Sequence, residues 1–245
     1  MLKKLIEIKG LSYTYPDGTK ALDSVGLNIF EGDSTGIIGP NGSGKSTLLL
    51  HLNGILRGGG QVKVLDMEAE EQSLNFIRSK IGLVFQNPDD QLFMPTVFDD
   101  VAFGPINMGL SGAEVEVAVK RALAQVDMSG AIKRSSHHLS LGEKRRVSIA
   151  TVLSMNPEML VLDEPTSNLD PKHRRELIEL LGRLNLTKAI ATHDLSMVME
   201  TCSKVVVIDQ GKIVAAGDTF DILKDRDLLE EHDLEMPGSL LYEQL

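Results

Sequence analysis

From the N-terminus through Phe30, apolar and polar positions alternate, and Pro16-Asp17-Gly18 interrupts them with turn residues. A period of two belongs to strands with one buried face, so this stretch predicts a small antiparallel sheet, mainly within residues 1–33. Beyond it the pattern changes to short continuous apolar runs, such as Thr35-Gly36-Ile37-Ile38 and Met159-Leu160-Val161-Leu162. Runs of that kind are typical of parallel strands buried on both faces, which predicts an α/β core over residues 34–86 and 156–223. Residues 87–155 read as an inserted helical lobe. Gly58-Gly59-Gly60 reads as a loop after the first helix, and residues 224–245 as an acidic tail with leucines at helical spacing, forming a short surface helix.

Composition narrows the class. With 245 residues, 42% hydrophobic and 24% charged, the chain has enough apolar material for one globular unit with a substantial core. No apolar stretch approaches the roughly 20 residues of a spanning helix, and Met1-Leu2-Lys3-Lys4-Leu5-Ile6-Glu7 lacks the apolar region of a signal peptide. The chain is therefore expected to stay inside the cell. Its single cysteine, Cys202, excludes an internal disulfide and a Cys-rich zinc site. A net charge of −10 argues against a nucleic-acid partner, because backbone binding depends on clustered Lys and Arg. The basic groups Lys144-Arg145-Arg146 and Lys172-His173-Arg174-Arg175 are flanked by acidic residues and read as solvated helix faces. His137-His138 has no further ligand at metal-binding spacing.

Candidate chemistry lies at the ends of the apolar runs. Gly39-Pro40-Asn41-Gly42-Ser43-Gly44-Lys45-Ser46-Thr47 follows one of them and opens a helix-forming run. This is a phosphate-cradling loop: its glycines let backbone N–H groups turn onto an anion, Lys45 brings a charge to the β and γ oxygens, and the Ser46 hydroxyl can hold Mg²⁺. Asp163-Glu164 ends the run from Met159, at the sheet edge where α/β proteins bind ligands. There Asp163 can serve the Mg²⁺ shell and Glu164 can take a proton from a water attacking the γ-phosphate. Leu139-Ser140-Leu141-Gly142-Glu143 reads as a capping box with Ser140 at the N-cap, and that helix start is also a second anion site.

Together these motifs resemble the ATP-binding-cassette (ABC) ATPases, whose signature is Leu-Ser-Gly-Gly-Gln before a basic helix. The present signature departs twice, with Leu141 for the first Gly and Glu143 for the Gln. The resemblance extends over nearly the whole chain and implies a P-loop, RecA-like α/β core with an N-terminal antiparallel β-subdomain and an inserted helical subdomain. It implies that Tyr15 stacks on adenine and that Gln86, after Ile81-Gly82-Leu83-Val84-Phe85, reports Mg²⁺ and γ-phosphate to a membrane partner. It further implies that Ser167-Asn168-Leu169-Asp170 crosses between subunits and that His193, after Lys188-Ala189-Ile190-Ala191-Thr192, contacts the γ-phosphate. Ser140, Gly142 and Glu143 would meet the nucleotide of an opposite chain. A second ATPase subunit, identical or closely related, is thus implied, with ATP and Mg²⁺ as cofactors.

Within that family, Phe85-Gln86-Asn87-Pro88-Asp89-Asp90-Gln91-Leu92-Phe93 is similar to the ATPases of energy-coupling-factor importers. Such importers pair two ATPases with a transmembrane scaffold and a substrate-binding membrane protein, which implies work at the cytoplasmic face of the membrane. They carry cobalt, nickel or vitamins, and the lack of a long C-terminal extension favours the metal type. Asp89, Asp90, Asp99 and Asp100 fall where the scaffold would dock. The rival readings are a nontransport ABC ATPase, expected to show a second cassette, coiled coil or zinc modules, and an interaction subunit with a dead site. Lys45, Glu164 and His193 count against the latter.

Overall fold

A computed structural model describes residues 3–241; Met1, Leu2 and the last tail residues, 242–245, lie outside the described residues. The chain divides into two compact units, one formed by residues 1–78 with 185–245 and the other by residues 79–184. In chain order the first unit opens with β1 (Lys4–Thr14), β2 (Lys20–Phe30), β3 (Ser34–Ile38), α1 (Lys45–Leu52), β4 (Gly59–Val64), β5 (Met67–Glu68) and most of α2 (Leu74–Lys80). The second holds β6 (Ile81–Val84), α3 (Val97–Asn107), α4 (Gly112–Gln125), α5 (Leu141–Leu153), β7 (Met159–Asp163) and α6 (Pro171–Arg183). The first resumes with β8 (Thr187–Ala191), α7 (Leu195–Thr201), β9 (Lys204–Asp209), β10 (Lys212–Asp218), α8 (Thr219–Leu223), α9 (Arg226–Glu231) and α10 (Gly238–Leu241).

In the first unit, β1 and β2 pair antiparallel as their alternation predicts, with Ile8 opposite Leu27. Ile6, Ile8, Leu11 and Ile29 are buried on that sheet, each contributing roughly 1.5–3 kcal/mol. The sheet is larger than the sequence pattern indicated. β4 and β5, within the stretch read as α/β core, extend it in the order β2-β1-β4-β5, with Val62 opposite Ile8 and Val64 opposite Ile6. The run Gly58–Gly60, read as a loop, therefore leads directly into a strand at Gly59. Glycines carry no hydrophobic pattern, and the alternation Gln61-Val62-Lys63-Val64 that marks the strand begins only after them. The unit's other strands run β10-β9-β3-β8, with β3 parallel to both β8 and β9 and β10 antiparallel to β9. In the tail, α9 is capped by Asp225 and buries Leu229.

In the second unit, β6 and β7 form a parallel pair, from Ile81 opposite Met159 to Val84 opposite Leu162. Compactness thus groups these strands with the helices, whereas the hydrophobic pattern placed them in a core running through residues 34–86 and 156–223. α3, α4 and α5 pack on one another. Each helix begins at its own start signal: Thr96 caps α3, Ser111 and Glu114 form a capping box at α4, and Ser140 and Glu143 form one at α5. Among the described residues no helix is long and apolar enough to cross a membrane.

Candidate functional site

The first unit presents the phosphate cradle. β3 runs buried to Ile38 and delivers the chain into Gly39, whose φ of 152° excludes side chains; a Cβ there would sit 1.9 Å from the Ile208 carbonyl oxygen. α1 starts at Lys45 with its backbone N–H groups facing back along the loop. Lys45 is only 6% exposed, and its Nζ donates to the carbonyls of Gly39 and Pro40, each at 2.8 Å, which pins the ammonium over the loop. Ser43 Oγ is buried without a hydrogen-bond partner, as expected of a donor reserved for an incoming anion. Asn41, Gly42 and Ser46 are exposed along the loop. This donor set, cationic and rich in N–H groups with no carboxylate in the loop, fits a polyphosphate.

Two further predicted residues gather around this loop. Tyr15 opens the turn after β1, and its hydroxyl lies 3.0 Å from Thr47 Oγ1 on α1, while its ring stands edge-on to Tyr13. The adenine-stacking candidate is thus tied to the cradle helix. β8 runs parallel beside β3, with Ala191 opposite Ile37, and the Thr192 N–H donates to the Ile37 carbonyl at 3.1 Å. That register places the exposed His193 just beyond the strand end next to the cradle's entry.

The second unit carries the strand-end carboxylates. β7 is buried from Met159 to Leu162 and ends at the half-buried Asp163. Glu164 follows with φ 44°, an unusual backbone conformation for a residue with a side chain, and is 7% exposed. Its carbonyl accepts from the Ser167 N–H at 3.2 Å and from Ser167 Oγ at 2.9 Å, which holds the turn. Asn168 also has positive φ, and Asp170 caps α6 by accepting from the N–H groups of Lys172 and His173. The exposed Gln86 follows β6. Its segment is fixed by Gln91, which accepts from the Phe85 N–H and donates to the Ser148 carbonyl and Thr151 Oγ1 on α5. The partners of Gln91 on α5 lie 57 and 60 residues away, so the local motif carries no sign of this role.

Two features of this unit correct the sequence reading. Arg145, read as part of a solvated basic face, is 2% exposed. It donates through Nη1 to the Phe85 carbonyl at 3.2 Å and through Nη2 to Ser167 Oγ at 2.9 Å. Burial pulls its guanidinium below its ordinary range, while the charges of Asp163 and Glu164 oppose that shift. His173, on the second basic run, hydrogen-bonds Asp170 and lies against Gly142, where any Cβ would come within 2.8 Å of its ring. Asp100 is the other correction. Counted among the docking carboxylates, it is 3% exposed and accepts instead from the Phe93 and Met94 N–H groups, with burial raising its carboxyl. Asp89 is exposed but paired with Lys144 of α5 at 2.6 Å.

At the signature, the capping box expected from sequence is formed: Ser140 Oγ accepts from the Glu143 N–H, and Glu143 Oε2 accepts from the Ser140 N–H at 2.8 Å. Glu143 is also gripped by Arg134, at 2.6 Å and 3.3 Å to its two oxygens. Arg134, then the Ser140 N–H, hold the Glu143 carboxyl below the usual carboxylate range. The acidic residue standing where the family has Gln is thus neutralised by a partner nine residues upstream, which sequence spacing did not indicate.

The ABC transporter family profile matches residues 22–167, well over half of the chain. A chain of Gloeobacter violaceus assigned as an ABC transporter ATP-binding protein is 51% identical over 98% of this chain and 99% of its own length. The energy-coupling factor transporter ATP-binding protein EcfA of Carboxydothermus hydrogenoformans is 49% identical over 95% of this chain and 87% of its own. Among solved structures, cbiO1 of Clostridium perfringens, part of the ABC transporter complex cbiONQ, is 36% identical with a TM-score of 0.84, covering 99% of this chain and 100% of that one. With the phosphate cradle on one unit and the carboxylate-ended strand and capped signature helix on the other, the chain belongs to the ABC transporter ATP-binding family, as an ATPase that powers transport.

Proposed function

We propose that this chain is the ATP-hydrolysing subunit of an energy-coupling-factor importer for cobalt or nickel ions, working as a dimer at the cytoplasmic face of the membrane. The observation that carries the importer type is the identity of nearly one half with EcfA along almost the whole chain, together with the likeness to cbiO1. An importer of vitamins is the second reading. In this proposal residues 39–47 and Tyr15 hold ATP, while Ser46, Gln86 and Asp163 hold Mg²⁺, whose charge offsets that of the β and γ oxygens. Glu164 is the general base, and His193 contacts the γ-phosphate. Ser140 and Gly142 meet the nucleotide of the opposite subunit, and residues 167–170 form the dimer loop. One chain carries one cradle and one signature, so two chains are needed to complete each site.

The Arg134–Glu143 pair supports a refinement of the signature's role. With its charge cancelled, Glu143 serves the helix cap and not the nucleotide directly. Arg134→Gln would leave a bare carboxylate at a helix start meant for an anion, an unfavourable term of roughly 1 kcal/mol or about fivefold in the KM for ATP. Adding Glu143→Gln, which restores the family's neutral residue, is expected to bring KM back near the parent. A double variant no better than Arg134→Gln alone would show that charge is not the issue.

The membrane partner is proposed to dock on the second unit, where Phe93 (59% exposed) and Phe103 pack edge-to-face in the open and Asp90, a little before Phe93 in sequence, is also exposed. Aromatic anchors rimmed by charge are the usual energetic centre of an interface. An Asp90→Lys/Phe93→Ser chain is expected to keep soluble ATP hydrolysis near normal while recovery of the membrane complex and uptake of Co²⁺ or Ni²⁺ both fall at least about tenfold, the effect of losing a single anchor. Normal uptake overturns the docking assignment. Loss of vitamin uptake with metal uptake intact in a deletion strain moves the chain to the second reading.

A further inference from the structure

We infer that Arg145 is a positioning residue that ties the segment entering the Gln86 loop to the turn carrying Glu164, so that the two are held in one geometry. This rests on the reading of Glu164 as general base. The chain of contacts lies within one compact unit. Arg145 Nη1 donates to the carbonyl of Phe85, the residue before Gln86, at 3.2 Å. Its Nη2 donates to Ser167 Oγ at 2.9 Å, and that same oxygen donates onward to the Glu164 carbonyl at 2.9 Å. The guanidinium fork thereby spans two loops that are 82 residues apart (167 − 85) in sequence.

Stability alone does not explain an arginine here. Removing a guanidinium from water is costly, and apolar replacement of buried charges is often neutral or stabilising. Arg145 is 2% exposed and its Nε is buried without a hydrogen-bond partner, so part of that cost is left uncompensated. What the site gains is control of a backbone that resists its own geometry. Glu164 sits at φ 44°, and a residue in that region keeps its conformation only where its surroundings hold it. Ser167 provides that hold, and Arg145 fixes the Ser167 hydroxyl so that it points its proton at the Glu164 carbonyl. A planar fork can make both connections at once; a lysine ammonium, a point donor on a flexible stem, makes one well.

The test uses the purified full-length chain and its steady-state ATP hydrolysis. Arg145→Met is expected to lower kcat about 100-fold, the effect of misplacing a reacting group by about an ångström. KM for ATP should change no more than about threefold, since the cradle is untouched, and the melting temperature should not fall. Arg145→Lys should recover only part of the rate. Ser167→Ala should lower kcat about tenfold, and Arg145→Met/Ser167→Ala should be no slower than Arg145→Met alone, because both break one chain of contacts. A parental kcat in Arg145→Met, a loss of activity matched by a loss of stability, or multiplicative effects in the double variant would each overturn the inference. Should Arg145→Met fail to fold, Ser167→Ala and Arg145→Lys decide it, parental kcat in both rejecting the tie. Glu164→Gln, measured alongside, separates the two ideas: slow Glu164→Gln with normal Arg145 and Ser167 variants rejects the tie alone, while fast Glu164→Gln rejects the base.

Discussion

A Glu164→Gln chain is expected to bind MgATP as the parent does and to hydrolyse it about 100- to 10,000-fold more slowly, the usual worth of a positioned general base. Gln matches Glu in shape and cannot accept the proton of an attacking water. The turn at Glu164 is held at its backbone carbonyl by the Ser167 hydroxyl and N–H, contacts that the substitution leaves in place. ATP should also accumulate the variant as a dimer on a sizing column, since ligand that binds only the assembled form stabilises that form. Turnover within a few-fold of the parent would remove Glu164 from the role of base.

The second large effect is expected at the signature. Ser140→Arg puts a bulky cation at the N-cap of α5 and removes the hydroxyl that accepts from the Glu143 N–H. Hydrolysis should fall at least about 100-fold, comparable to losing a donor that acts on the developing charge. ATP binding by the same chain should persist, because its cradle at residues 39–47 is intact. Lys45→Ala should have the converse defect, losing the ammonium that the Gly39 and Pro40 carbonyls now hold in place. Mixing the two inactive chains should then restore measurable turnover, since a mixed dimer contains one complete pairing of a sound cradle with a sound signature. No recovery on mixing, with heterodimers demonstrated, would argue against a shared site.

Much of the candidate site was legible because its parts are contiguous. The phosphate loop, the carboxylates ending β7 and the capping box at Ser140 each occupy a few consecutive residues, and each owes its form to local backbone chemistry that residue type controls. The alternation up to Phe30 likewise announced an antiparallel pair, and the apolar runs announced parallel strands. Tertiary structure decided whatever depends on a distant partner. That β4 joins the antiparallel sheet depends on β1, some 50 residues earlier, and the glycines that open it bear no pattern to read. Lys144, Arg145 and Arg146 are three adjacent cations with the same look in sequence, yet one pairs with Asp89, one lies buried between Phe85 and Ser167, and one faces Glu176. A helix turns about 100° per residue, so neighbours point in different directions, and only the elements packed around α5 determine which direction leads into the protein. The same holds for Asp99 and Asp100: the exposure of a carboxylate is a property of what surrounds it, and Asp100 is buried because the Phe93 and Met94 N–H groups needed an acceptor there.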